Sequence, residues 1–121
     1  MKEIRVRKLN PLDRCYVAGL LEGEGTFGSY PKDNPRSVRI QCAMVDRDVV
    51  EYLAALVGVG NVHPARPRDT LGKQIQWVWT LHTRMDVLDL CSQIYDLMGA
   101  RRRTQIDKMR ATGRQPLTDV V

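Results

Sequence analysis

No stretch of this 121-residue sequence is apolar for long enough to span a bilayer, and Met1 to Leu12 lacks the apolar core of a secretion signal. An intracellular protein is therefore expected, in cytoplasm, nucleoid or an organelle matrix, with no membrane partner. Cysteine is scarce. Cys15, Cys42 and Cys91 are odd in number and widely spaced, and no pair has zinc-finger or redox-motif spacing. Each falls inside a predicted element, so buried thiols in a reducing compartment are expected. Low-complexity segments and linkers are also missing. One domain over residues 1–121 follows, with its core at about 10–112, a basic N-terminal segment and a loose tail.

What the chain does have is a basic excess: net charge +5 and an isoelectric point near 9.4. That favours an anionic partner, whether nucleic acid, an acidic protein or a membrane surface. Arginine dominates the excess, and its planar fork suits phosphate and guanine better than lysine does.

The stretch Val17-Ala18-Gly19-Leu20-Leu21-Glu22-Gly23-Glu24-Gly25 stands out. It reads as a helix with Gly19 and Gly23 four apart, hence on one face. A glycine costs about 1 kcal/mol relative to alanine in a helix interior, so two on one face suggest close approach of another backbone. The helix then runs into Glu24. A carboxylate at the negative end of the macrodipole is unfavourable unless a cation sits nearby.

In chain order, Lys2, Arg5, Arg7 and Lys8 with Ile4, Val6 and Leu9 allow a short strand or an arm along an anionic backbone, but composition favours a frayed terminus. Asn10-Pro11 is a helix start. The first helix is predicted over Leu12 to Gly23, with Tyr16, Leu20 and Leu21 on its core side and Ala18, Gly19 and Gly23 on its small-residue side. Thr26 to Tyr30 reads as a strand with Phe27 inward, and Pro31 to Pro35 as a turn. Ser37 to Val45 alternates strictly: Val38, Ile40, Cys42 and Met44 on one face, Ser37, Arg39, Gln41 and Ala43 on the other. A second helix follows over Asp46 to Leu56, then strands at Asn61 to Arg66 and Gln74 to His82. The last strand turns Ile75, Trp77, Trp79 and Leu81 inward. Helices are expected again at Arg84 to Met98 and from Arg101 to Ala111. The Arg101-Arg102-Arg103 triplet opposes the dipole at a helix start, so an external anion is expected there.

The run Val17–Gly25 resembles the LAGLIDADG motif of homing endonucleases. Ala18, Gly19, Leu20 and Gly25 match it letter for letter. Val17 replaces Leu, Leu21 replaces Ile, Glu22 and Glu24 replace the two Asp, and Gly23 replaces Ala. The order αββαββα(α) also resembles that α+β fold, a four-stranded antiparallel saddle-shaped sheet backed by helices. A single motif implies a homodimer through the first helix, at Ala18, Gly19 and Gly23, reading a long pseudo-palindromic double-stranded DNA site. The resemblance implies hydrolysis of DNA phosphodiesters with Mg²⁺, or another divalent cation such as Mn²⁺, by a protein of an intron or other mobile element. Glu24 is the implied metal ligand, helped by the Gly23 backbone carbonyl. Asp46 stands where the family holds its water network, or else caps the second helix. Arg102 matches the family's basic residue near the scissile phosphate. Glu22 is expected to be structural.

On that resemblance the candidate DNA readers are Arg39, Gln41, Asn61, His63, Gln74, Gln76 and Thr80 on the strands, since arginine and glutamine pair with guanine and adenine edges. Lys32, Arg66, Arg68 and Lys73 lie in loops suited to phosphates. Two other readings stay open: a non-catalytic regulator or RNA-splicing maturase on the same fold, and a module whose basic face meets an acidic protein.

Overall fold

Asn10 and Pro11 start the first helix as their chemistry dictates. The Asn10 side chain accepts the Asp13 N–H at 2.8 Å, and Pro11 occupies the first helical position, where no N–H is needed. The computed structural model describes residues 3–30, 34, 36–65 and 74–112. Its elements are α1 (Pro11–Glu24), β1 (Gly25–Ser29), β2 (Val38–Met44), α2 (Arg47–Val57), β3 (Asn61–Pro64), β4 (Trp77–Leu81), α3 (Arg84–Ile94) and α4 (Ala100–Ala111). Tyr95–Leu97 form a 3₁₀ turn between α3 and α4, where the Met98 N–H bonds back to the Tyr95 carbonyl. The class is α+β, as expected.

The four strands make one antiparallel sheet in the order β1-β2-β4-β3. Alternation decides its two faces. Phe27, Val38, Ile40, Cys42, Trp79 and Leu81 are buried against the helices. Helices α1, α2 and α3 pack on β2, α2 also on β4, and α4 on β1. The other face carries the alternate residues, and among the described residues no helix covers it. Across its middle runs the register Thr26–Gln41–Thr80–Asn61, one residue per strand.

Gly60 closes the turn into β3 with φ +111°, and a Cβ there would stand 2.2 Å from the Trp79 indole nitrogen. Only glycine tolerates both the torsion and the contact. The indole N–H in turn donates to the Val59 carbonyl at 3.1 Å, which fixes the tryptophan under the sheet.

Several expectations need correction. The N-terminal segment is not frayed. Val6 and Leu9 are buried, and the Arg5 and Val6 N–H groups donate to the Asp86 carboxylate at 2.6 and 3.3 Å. Gln93 pairs with the same segment, accepting from Leu9 N–H and donating to the Arg7 carbonyl. Tyr16 is not core: it is exposed and meets Tyr52 edge-to-face at 5.3 Å. Val17 takes its place, with Leu21. Cys15 is exposed, whereas Cys42 and Cys91 are buried. Strand β4 starts at Trp77 and leaves Ile75 exposed, one residue before the last β3–β4 backbone bond, from the Ala65 N–H to the Gln76 carbonyl at 2.8 Å.

Candidate nucleic-acid interface and its acidic edge

Glu24 is the last residue of α1 and is exposed. No basic residue stands in that last turn, and among the described residues no hydrogen-bond donor or cation meets its carboxylate. The chain leaves the helix for β1 through Gly25, whose N–H bonds to the Leu21 carbonyl. A Cβ on Gly25 would lie 2.6 Å from that carbonyl oxygen. The glycine therefore lets helix and strand join with no linker, which places Glu24 at the start of the sheet's edge strand. Gly25 pairs with Cys42. Burial pushes the Cys42 thiol up to about 11, and the Glu24 charge adds to the rise, so it stays protonated.

Two hydrogen bonds set the end of α1. The Glu22 carboxylate accepts the Gly99 N–H at 2.7 Å, and Gly99 is the N-cap residue of α4. An acid from α1 thus sits at the positive end of the α4 dipole. Arg102 donates from Nε to the Glu22 carbonyl at 3.2 Å and from Nη1 to Gln105 at 3.0 Å. It is buried, with its guanidinium 5.5 Å from the Phe27 ring centroid. Arg101 and Arg103 are exposed. Of the arginine triplet, the middle member turns inward to the motif helix and the outer two face solvent.

Asp46 follows β2, at the same end of the sheet as Glu24 by register. It is exposed and makes no side-chain cap on α2. Among the described residues no group of three or more His, Cys, Asp or Glu comes together. One chain thus offers the Glu24 carboxylate and, beside it, the Gly23 carbonyl at the helix terminus. Neighbouring carbonyls are engaged: Leu21's by Gly25 and Glu22's by Arg102. Such a donor set suits part of a Mg²⁺ site, which needs few carboxylates and takes remaining oxygens from water and phosphate.

The α1 face away from the core shows Leu12 at 83% exposure, then Tyr16, Gly19 and Gly23 at helical spacing. A Cβ at Gly19 or Gly23 would meet nothing within 4 Å. Ala18 is different: it is 2% exposed, inside its own chain's core, so it does not share that face.

The uncovered sheet face gathers Arg39, Gln41, Asn61, His63 and Thr80. Asn61 and His63 are exposed, Arg39 and Gln41 half-buried, and Thr80 is 9% exposed. Gln74 and Gln76 are exposed but precede β4. Lys32, Arg66, Arg68 and Lys73 lie outside the described residues, as do the Pro31 to Pro35 turn in large part and the tail from Gly113.

The same fold occurs in solved structures. An archaeal intron-encoded homing endonuclease, I-Vdi141I, complexed with DNA, matches with a TM-score of 0.59 and 16% identity over 78% of this chain and 63% of that one. The group I intron-encoded homing endonuclease I-CeuI, complexed with DNA, matches at 0.63 and 18% over 91% of this chain and 56% of that one. I-CvuI, a homing endonuclease in complex with DNA in the presence of Mg, matches at 0.62 and 11% over 79% and 62%. The chain has the LAGLIDADG homing-endonuclease fold. It spans less than two thirds of the length of each of these three proteins. No family model matches the sequence, and no curated protein does.

In LAGLIDADG terms, α1 is the motif helix, and it joins the sheet at Gly25. Sequence reasoning missed two residues of the open face. Thr26 is exposed in the central row, and Tyr30 lies beneath Arg39, 4.3 Å from its guanidinium carbon. The signal was available: with Phe27 inward, alternation turns Thr26, Gly28 and Tyr30 outward.

Proposed function

We propose that the chain is a site-specific DNA endonuclease that acts as a homodimer and hydrolyses phosphodiesters with a divalent metal. The observation that carries this reading is Glu24: an exposed carboxylate with no described cation beside it, at a helix C-terminus, at the edge of an open polar sheet face. The family's solved members in complex with DNA support the choice of DNA as the polyanion. Glu24 and the Gly23 carbonyl would hold Mg²⁺ or Mn²⁺, which when bound polarises the phosphoryl oxygen and lowers the pKa of water. Asp46 would orient solvent at the same end of the sheet. Arg102 holds the helix end through the Glu22 carbonyl and adds positive charge behind it.

A dimer through α1 completes the site. One chain brings too few ligands, and two helices crossing at Gly19 and Gly23 would bring two Glu24 carboxylates together, where a metal offsets their repulsion. A two-fold dimer would read a pseudo-palindromic site.

Incubating the purified protein with Mg²⁺ and a randomised duplex pool that it binds tests the reading directly. Cleavage of a subset of bound sequences is expected. Binding with no cut product in any of them would leave a non-catalytic regulator in its place. Dimerisation has a separate check. Gly19→Leu meets empty space in its own chain, so it should fold with undiminished helix content. It is expected to sediment as a monomer and to lose cleavage, and a persisting dimer would remove the α1 interface.

A further inference from the structure

The open sheet face contains two side chains already held in place by neighbours on the same face. Gln41 donates from Nε2 to the Thr80 hydroxyl at 3.2 Å. The His63 Nε2 lies 3.4 Å from the same hydroxyl, and its Nδ1 lies 3.2 Å from the Pro64 carbonyl. A carbonyl only accepts, so in the neutral ring Nδ1 carries the hydrogen and Nε2 accepts from Thr80. The bonds then run in one direction, Gln41 to Thr80 to His63 to Pro64, and each member is satisfied. Among the described residues Gln41 keeps one N–H and its carbonyl oxygen without a partner.

Adenine's major-groove edge offers one acceptor and one donor side by side, which matches that remainder. Guanine's edge offers two acceptors, and Gln41 has only one N–H left, so guanine is the poorer match. Arg39 stands two residues away on the same strand. Its cross-strand partner is Gly28, and the Tyr30 hydroxyl lies 3.3 Å from where a Gly28 Cβ would be. The missing side chain lets the Tyr30 ring fold back under Arg39, whose guanidinium carbon lies 4.3 Å from the ring centroid. Cation–π contact orders the arginine without using its donors. Among the described residues nothing accepts from those donors. A guanidinium so held matches the two acceptors of guanine.

We propose that Gln41 and Arg39 are specificity-determining residues for an adenine and a guanine within about two base pairs of each other in each half-site. Thr80 and Tyr30 are positioning residues that act through them. The proposal rests on the DNA-binding reading above and adds to it the base identity and its cause. Ordering before binding matters because a free side chain loses rotamer entropy on contact and so discriminates less.

Selecting bound duplexes from a randomised pool with the full chain, and sequencing them, tests this base by base. The wild type is expected to prefer the adenine and the guanine by about tenfold or more. Thr80→Val should cut the adenine preference to about threefold or less while the guanine preference stays, and Thr80→Ser should restore it. Tyr30→Leu should do the reverse, with Tyr30→Phe behaving as wild type. Gln41→Glu, which can only accept, should change the preferred base from adenine to cytosine. That variant sits on the open face and keeps the test alive if Thr80→Val does not fold. DNA binding without these two preferences, or preferences that Gln41→Glu leaves unaltered, overturns this proposal alone. No DNA binding by the wild type overturns it together with the reading beneath it.

Discussion

Glu24→Gln is expected to give a folded dimer that binds DNA as well as the wild type does and cuts it at least about a thousandfold more slowly, a barrier increase of about 4 kcal/mol. The substitution keeps the shape of the side chain and removes one charge. Nothing among the described residues bonds to that carboxylate, so no fold-supporting contact is lost. The fold should in fact gain, because the negative end of the α1 dipole no longer faces a like charge. DNA phosphates should also be repelled less. Three measurements therefore move in different directions: melting temperature slightly up, affinity in metal-free buffer unchanged or up, and single-turnover cleavage with Mg²⁺ sharply down. A residue retained for structure could not give that combination. Cleavage within tenfold of wild type would remove Glu24 from the metal site.

Much of this arrangement was legible in the sequence, for local reasons. The alternation over Val38 to Cys42 sorts buried from open residues, because a strand's period of two is set by the backbone alone, and only Met44 at the strand's end is half-buried where the pattern turns it inward. Asn10-Pro11 marks the start of α1 through chemistry confined to one turn. The motif glycines were legible as a small-residue face, but Ala18 was put on the wrong side of it and Tyr16 on the core side. At 3.6 residues per turn a one-residue choice swings a side chain by about 100°. What stayed hidden depends on distant partners. Glu22 reaches Gly99, and Arg102 reaches the Glu22 carbonyl, across most of the chain's length. The same holds for the N-terminal segment, whose apolar residues are too few to show a period. Its order comes from Asp86 and Gln93, more than eighty residues later.

That segment leads to the second large effect. Asp86→Ala is expected to destabilise the protein by about 3 kcal/mol, a fall in melting temperature of roughly 10 °C. Asp86 is fully buried in the first turn of α3, where its charge also complements the helix dipole. Its Oδ1 takes the backbone N–H groups of Arg5 and Val6, and its Oδ2 the Arg5 guanidinium at 3.3 Å. The Arg5 side chain is 60% exposed, so the ion pair itself is worth little. The cost comes from the Val6 N–H, which alanine would leave buried with no acceptor. Downstream of that anchor, Arg7 N–H bonds to the Val57 carbonyl of α2, and Gln93 of α3 holds residues 7 and 9. The segment thus straps together two of the helices that back β2 and β4, the strands carrying Arg39, Gln41 and Thr80. A cycle with a variant lacking residues 1–8 separates this strap from a purely local helix effect. In the truncated background Asp86 has lost those donors and no Val6 N–H remains to be orphaned, so Asp86→Ala should cost almost nothing there. An undiminished loss of about 3 kcal/mol in both backgrounds would place the role of Asp86 within α3 and leave the N-terminal segment a passenger.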